Sequence, residues 1–257
     1  MVFTDRLLTL TPGSLAEPRS FMLRSLITPE EMSKPSSFYL YSAILLSRLK
    51  SSKFIRESSP ADDTIARANQ QTRFALGFFQ RNTYVSAVWD ALFTRFARSG
   101  EFSQLTKHET TSSIVIHVRR GDYLNPKTKR YHGLSSNQYF ETASQLLSDI
   151  TGCSSYLVVS DDVIGARTQL ESSRYFSRQK LQFVSGLNEI ETLSLMSSAR
   201  GVVASNSSFS WWGARLCWSL SNGVVSVPTP WLAQDGAVDN HLHPIDGRWI
   251  AVRRLIS

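Results

Sequence analysis

From Ser112 onward, short β-branched runs alternate with stretches of helical period, and that alternation constrains the fold more than any other feature of the chain. The apolar runs predict strands over 113–118, 155–160, 181–184, 201–204 and 224–227. Between them, the 3.6-residue spacing predicts helices over 136–150, 163–172, 189–199 and 209–220. A βαβα order implies a parallel sheet with helices on both faces. Ligands of such sheets sit in the crevice outside the carboxyl ends of the strands. The residues that follow each strand are therefore the ones to read for chemistry.

Upstream the rhythm differs. Pro12, Pro18, Pro29, Pro35 and Pro60 interrupt residues 1–110, which read as helical and irregular. Over 72–98, Phe74, Phe78, Val85, Val88, Trp89, Leu92, Phe93 and Phe96 recur at helical spacing, with Gly77 separating two segments. The length of 257 residues suits one large domain or two small ones equally. The change of rhythm predicts two, 1–110 and 111–257. The most apolar stretch, 38–49, is too short to span a bilayer and carries Ser42, Ser47 and Arg48. No signal-peptide pattern opens the chain. The expectation is a cytoplasmic protein or one peripheral to a membrane, with membrane contact left open.

After the first strand comes His117-Val118-Arg119-Arg120-Gly121-Asp122-Tyr123. Two adjacent guanidiniums at a strand end suit bidentate binding of phosphate oxygens. Such arginines stabilise a departing diphosphate without a metal ion. The same residues also read as a solvated strand end with an Arg–Asp pair. After the second strand stand Asp161 and Asp162, which suit a ribose, the donor edge of guanine, or the cap of the next helix. After the fourth come Ser205, Asn206, Ser207, Ser208, Phe209, Ser210 and Trp211, mostly small polar residues leading into a helix. Backbone N–H groups there can cradle a phosphate, or the serines can simply cap the helix ahead of an aromatic core face.

The remaining composition mostly excludes. Cys153 and Cys217 build neither a disulfide framework nor a zinc site. No D-x-D pair is present to hold a divalent ion on a diphosphate, so neither a metal nor another cofactor is expected. The net charge of +7 favours anionic ligands, but the cations are scattered and the aromatics fall in apolar periodic patterns. A nucleic-acid-binding surface would interleave the two, so no nucleic-acid partner is expected. Trp218 and Trp249 read as core; Trp211 and Trp212 remain open between core and sugar stacking.

HVRRGDY, YHGLSSNQYF, VVSDD, ETLSLMSSARGVVASNSSFSWWGARL and VVSVPTPWL, in that order, resemble the inverting α1,2-fucosyltransferases of glycosyltransferase family 11. The resemblance runs from about Gly77 to the C-terminus. It implies a GT-B architecture, two Rossmann-like halves across a cleft, with GDP-fucose held mainly by the second. It implies transfer of L-fucose, with inversion, to a galactose hydroxyl of a glycan acceptor. Arg119 then looks like the arginine that holds the diphosphate, with Arg120 and 207–210 in support. His117 and one of Asp161 or Asp162 look like guanosine contacts. Asp122 is the candidate general base, or alternatively the group that orients Arg119 or Arg120.

Two features depart from the family's pattern. Arg215 stands where a third tryptophan is usual after WWGA. Residues 1–76 contain one glycine, Gly13, where family members carry a strand and a G-G-x-x-N-Q loop. The first half therefore reads as divergent or truncated. The alternative function is a GDP- or glycan-binding remnant that transfers sugar poorly.

Overall fold

The computed structural model describes residues 54–56, 74–76, 81–86, 89, 112–233, 239–244 and 246–255. The chain divides into two compact units, Met1–Ser99 and Gly100–Ser257. In the first, β1 (Phe54–Arg56) and β2 (Phe74–Leu76) pair in parallel, with Phe54 opposite Phe74. Residues 82–86 are helical, as the apolar spacing predicts. At 74–76 the helical expectation is corrected to a strand. Phe-Ala-Leu is a short apolar run without a period of its own, so neighbouring chain decides its state. The apolar stretch 38–49 and most of 87–110 lie outside the described residues.

The second unit is built on six strands: β3 (Ile114–Val118), β4 (Ser155–Ser160), β5 (Lys180–Phe183), β6 (Gly201–Val203), β7 (Val224–Thr229) and β8 (Trp249–Arg253). All pair in parallel, in the order β5-β4-β3-β6-β7-β8. The chain starts in the middle, winds out to β5, returns to β6 and winds out the other way. This is the doubly wound, Rossmann-like order, and it reverses between β3 and β6. Every residue of β3 is buried, as the middle strand of a sheet covered on both faces must be. At the β5 edge, exposure alternates.

Among the described residues, six α-helices connect or cover these strands: α1 (Pro126–His132), α2 (Asn137–Thr151), α3 (Val163–Glu171), α4 (Glu189–Ser197), α5 (Ser208–Leu220) and α6 (Asp239–Leu242). On one face, Ile114, Ile116 and Val203 pack against Tyr139, Phe140, Ala143 and Leu147 of α2. Full burial of side chains this size is worth about 1.5–3 kcal/mol each. Ser136 caps the start of α2, and Gly152 closes its end in the left-handed region at φ 72°. The Tyr139 hydroxyl donates to Ala204 O at 2.5 Å, fastening α2 to the end of β6. On the other face, α4 and α5 pack closely; a Cβ on Gly213 would stand 2.3 Å from Met196 Cε.

Sequence and structure differ at several places in this unit. β7 continues through Pro228 to Thr229, because β6 pairs only as far as Ser226 and leaves the proline a single neighbour, β8. α1, α6 and β8 are additional elements. Among the described residues, no helix is long and apolar enough to cross a membrane.

Candidate functional site

The reversal of strand order sets the carboxyl ends of β3 and β6 side by side, the position where open α/β sheets bind ligands. It thereby brings two distant segments together, His117–Tyr123 after β3 and Ser205–Trp211 after β6. Ser205 stitches them: its hydroxyl donates to His117 O at 2.6 Å and accepts from Arg119 N–H at 3.0 Å. Ser210 Oγ in turn accepts from Ser205 N–H at 2.8 Å.

Arg119 is held by two carboxylates, with NH2 2.6 Å from Asp122 Oδ1 and NH1 2.9 Å from Asp161 Oδ2. Its guanidinium also lies over the Tyr123 ring. A guanidinium has five N–H donors, so this clamp orients the fork and leaves donors for a ligand. Arg120 faces α3 instead. Its Nε lies 3.2 Å from Asp162 Oδ2, and NH1 donates to Gln169 Oε1 at 2.5 Å. Its backbone N–H donates to Asp161 Oδ1 at 2.9 Å. Asp162 is also the N-cap of α3, accepting from Gly165 N–H at 2.9 Å.

Two glycines make room for these pairs. A Cβ on Gly121 would stand 2.3 Å from Asp161 Oδ2. One on Gly165 would meet Asp162 Oδ2 at 2.1 Å and Arg120 Nε at 2.7 Å.

His117 is 4% exposed, its ring tilted against Phe209 of α5 at 5.4 Å. Burial, aided by the Arg119 charge, pushes its pKa down to about 3, so the ring is neutral at physiological pH. Its Nδ1 is buried without a hydrogen-bond partner among the described residues. Burial likewise pushes His132 down to about 4 and raises the Tyr123 phenol, which stays protonated. The Tyr123 hydroxyl donates to Asn206 O at 2.9 Å and stacks its ring on His132.

α5 begins without a side-chain cap, because the Ser207 hydroxyl accepts no backbone bond there. The first N–H groups of a helix have no intrahelical partner, and the helix dipole adds partial positive charge at that end. Ser207 and Ser208 therefore open a helix start suited to an anion, next to the Arg119 loop.

Three expected contact residues serve the scaffold instead. Asn206 is 2% exposed, and its amide donates to His132 O at 2.8 Å and Gly133 O at 3.2 Å. Ser210 is fully buried behind Ser205. Trp211 is 1% exposed with Nε1 donating to Leu242 O at 3.0 Å. Their side chains are spent on holding the β6–α5 turn, so any contact they make with a ligand falls to their backbone. Arg215 is also buried, its guanidinium 4.6 Å over the Trp218 ring. Sequence reading missed Gln169 and Arg254 as members of this network, and placed Ser205 in the right segment without its bridge to His117 and Arg119. Each depends on a partner far away in the chain, so no local spacing announces it.

The strand order, the clamped arginine and the uncapped helix start define a Rossmann-like α/β unit with guanidinium and helix N–H donors gathered at its switch point. Residues 22–235 match the family described as Glycosyl transferase family 11, and the chain belongs to that family. It is similar to an alpha-1,2-colitosyltransferase of Escherichia coli, 31% identical over 146 residues that cover 56% of this chain and 49% of the relative. It is also similar to the O-antigen biosynthesis glycosyltransferase WbnK of Escherichia coli, 32% identical over 130 residues, 49% of this chain and 41% of the relative. The chain thus matches about half the length of these curated relatives or less. Among solved structures, POFUT1 in its apo-form gives a TM-score of 0.36 at 11% identity, covering 62% of this chain and 55% of that one. POFUT1 in complex with GDP-fucose gives 0.34 at 11% identity, covering 73% and 56%. These structural likenesses are distant and add nothing to the fold described above.

Proposed function

We propose that the protein is an inverting glycosyltransferase that moves L-fucose from GDP-fucose to a galactoside hydroxyl, forming an α1,2 linkage. The observation that carries this reading is the juxtaposition of the Arg119 loop with the uncapped start of α5 at the β3–β6 switch point, within a family 11 chain. The donor's diphosphate bridges Arg119 and the first N–H groups of α5. As the bond from sugar C1 to the phosphate oxygen breaks, charge grows on the departing GDP, and donors already in place stabilise it.

Asp122 is the most exposed carboxylate of the cluster, its side chain 43% exposed. Its Oδ1 holds Arg119 and leaves Oδ2 to take the proton from the acceptor hydroxyl as that oxygen attacks C1. The oxygens of Asp161 and Asp162 each retain a second lone pair, and one of these carboxylates receives the N1–H and N2–H₂ edge of guanine. No metal takes part, because arginine and helix N–H groups carry the diphosphate charge. A colitosyl donor is the second reading, favoured by the likeness to the colitosyltransferase.

Incubation with GDP-fucose and lactose, followed by NMR of the product, tests the assignment. An α1,2-linked fucoside is expected. GDP binding without any transfer would reduce the protein to a binding remnant of its family.

A further inference from the structure

Arg254 follows β8 and is 2% exposed, yet among the described residues no carboxylate lies within ion-pair distance of it. Asp239, the carboxylate whose charge it feels, is taken by Thr229 Oγ1 and Trp231 N–H. The guanidinium instead donates to four carbonyl oxygens. Nε reaches Pro230 O at 2.6 Å and NH1 reaches Gly133 O at 3.1 Å. NH2 reaches His132 O at 2.6 Å and Trp231 O at 3.0 Å. Burying a cation without a counter-ion is costly, and carbonyl dipoles offset only part of that cost. A residue kept in this state needs a reason beyond fastening loops.

The charge balance of the crevice supplies one. Arg119 and Arg120 stand against Asp122, Asp161 and Asp162, two guanidiniums facing three carboxylates. A diphosphate entering there meets one negative charge in excess. Arg254 is joined to this cluster through shared partners. His132 O and Gly133 O accept from Asn206 as well as from Arg254, and Tyr123 of the Arg119 loop donates to Asn206 O.

We propose that Arg254 is a positioning residue for the donor: a buried cation behind the crevice that offsets its carboxylate excess while holding the end of α1 against the Asn206 turn. The inference rests on the diphosphate reading of the crevice. In the low-dielectric interior its charge acts over longer range than a surface charge, and salt screens it less.

Calorimetry with GDP and, separately, inorganic pyrophosphate on the full chain tests it, using Arg254→Met and Arg254→Lys at low and high salt. Arg254→Met is expected to weaken both probes about tenfold or more. Arg254→Lys keeps the charge but loses the fork, so it should hold affinity within about threefold and keep the parent's salt dependence, at a lower melting temperature. A folded Arg254→Met that binds both probes like the parent overturns the proposal. So does a folded Arg254→Lys as weak as a charge-free site, which decides the matter if the methionine variant does not fold. If the parent ignores GDP but binds pyrophosphate, and Arg254→Met weakens that binding, the guanosine reading fails while the role of Arg254 stands.

Discussion

Replacing Gly121 with alanine probes the clamp on Arg119 without touching a charged residue. The new Cβ would stand 2.3 Å from Asp161 Oδ2 and 3.0 Å from its Cγ. Asp161 is short, and both its oxygens are engaged, one by Arg119 at 2.9 Å and one by Arg120 N–H at 2.9 Å. Relief to an ordinary contact needs a shift of about 1 Å, which takes the Arg119 contact out of hydrogen-bond range. A hydrogen bond to a charged group contributes about 1.5–3 kcal/mol, so a loss of ~2 kcal/mol is expected. For a unit of this size that lowers the melting temperature by roughly 4–8 °C. Gly247→Ala is the matched control, since a Cβ there meets nothing within 4 Å. Circular dichroism melts compare the two. A Gly121→Ala protein that melts with the parent would show that Asp161 moves freely and does not hold Arg119.

Arg119→Ala should lower kcat/KM by about 10²–10³, as expected for losing one preorganised donor to a departing anion. Arg119→Lys should recover little, because a point charge cannot keep the Asp122 and Asp161 contacts and a phosphate oxygen at once. Acid should destabilise the fold through its neutral buried histidines, His117 at about 3 and His243 at about 4. In the unfolded chain these titrate near 6.5, so falling pH protonates the unfolded state first. Their stability contribution is then full above ~6.5 and drains by about 1.4 kcal/mol per group per pH unit until the folded values are reached. A melting temperature unchanged between pH 7 and 4.5 would contradict that burial. Transfer should survive EDTA; activity abolished by chelation and restored by Mg²⁺ would remove Arg119 and α5 as the carriers of diphosphate charge.

The sheet was largely legible because its middle strands are buried on both faces. Ile114-Val115-Ile116 is short, apolar and wholly β-branched, which favours a covered strand over a helix, and the runs ending at Ser160 and Val203 follow the same logic. β8 was harder, since Trp249-Ile250-Ala251-Val252-Arg253 lies at an edge with mixed exposure. α1 has no apolar face at all, and only its ends declare it: the Asn125 cap, Pro126 at the first turn and Gly133 after the last.

The site was legible as two motifs but not as a charge pattern. Read along the chain, Arg119-Arg120 is a cationic pair; folded, three carboxylates surround it. Asn206, Ser210 and Trp211 belonged to the right segment, yet their side chains turn inward, Ser210 and Trp211 from within α5 and Asn206 from the turn before it. Their partners at His132, Ser205 and Leu242 are set by packing that no local spacing encodes.

Titration of the parent and of Arg119→Ala with GDP and UDP tests most directly whether the β3–β6 crevice is the donor site. GDP is expected to bind the parent more tightly than UDP by about 1–3 kcal/mol, the cost of leaving a base-reading carboxylate unpaired. Arg119→Ala is expected to lose most of the GDP affinity. Equal affinities for the two nucleotides, or GDP binding untouched by the loss of Arg119, would contradict the assignment.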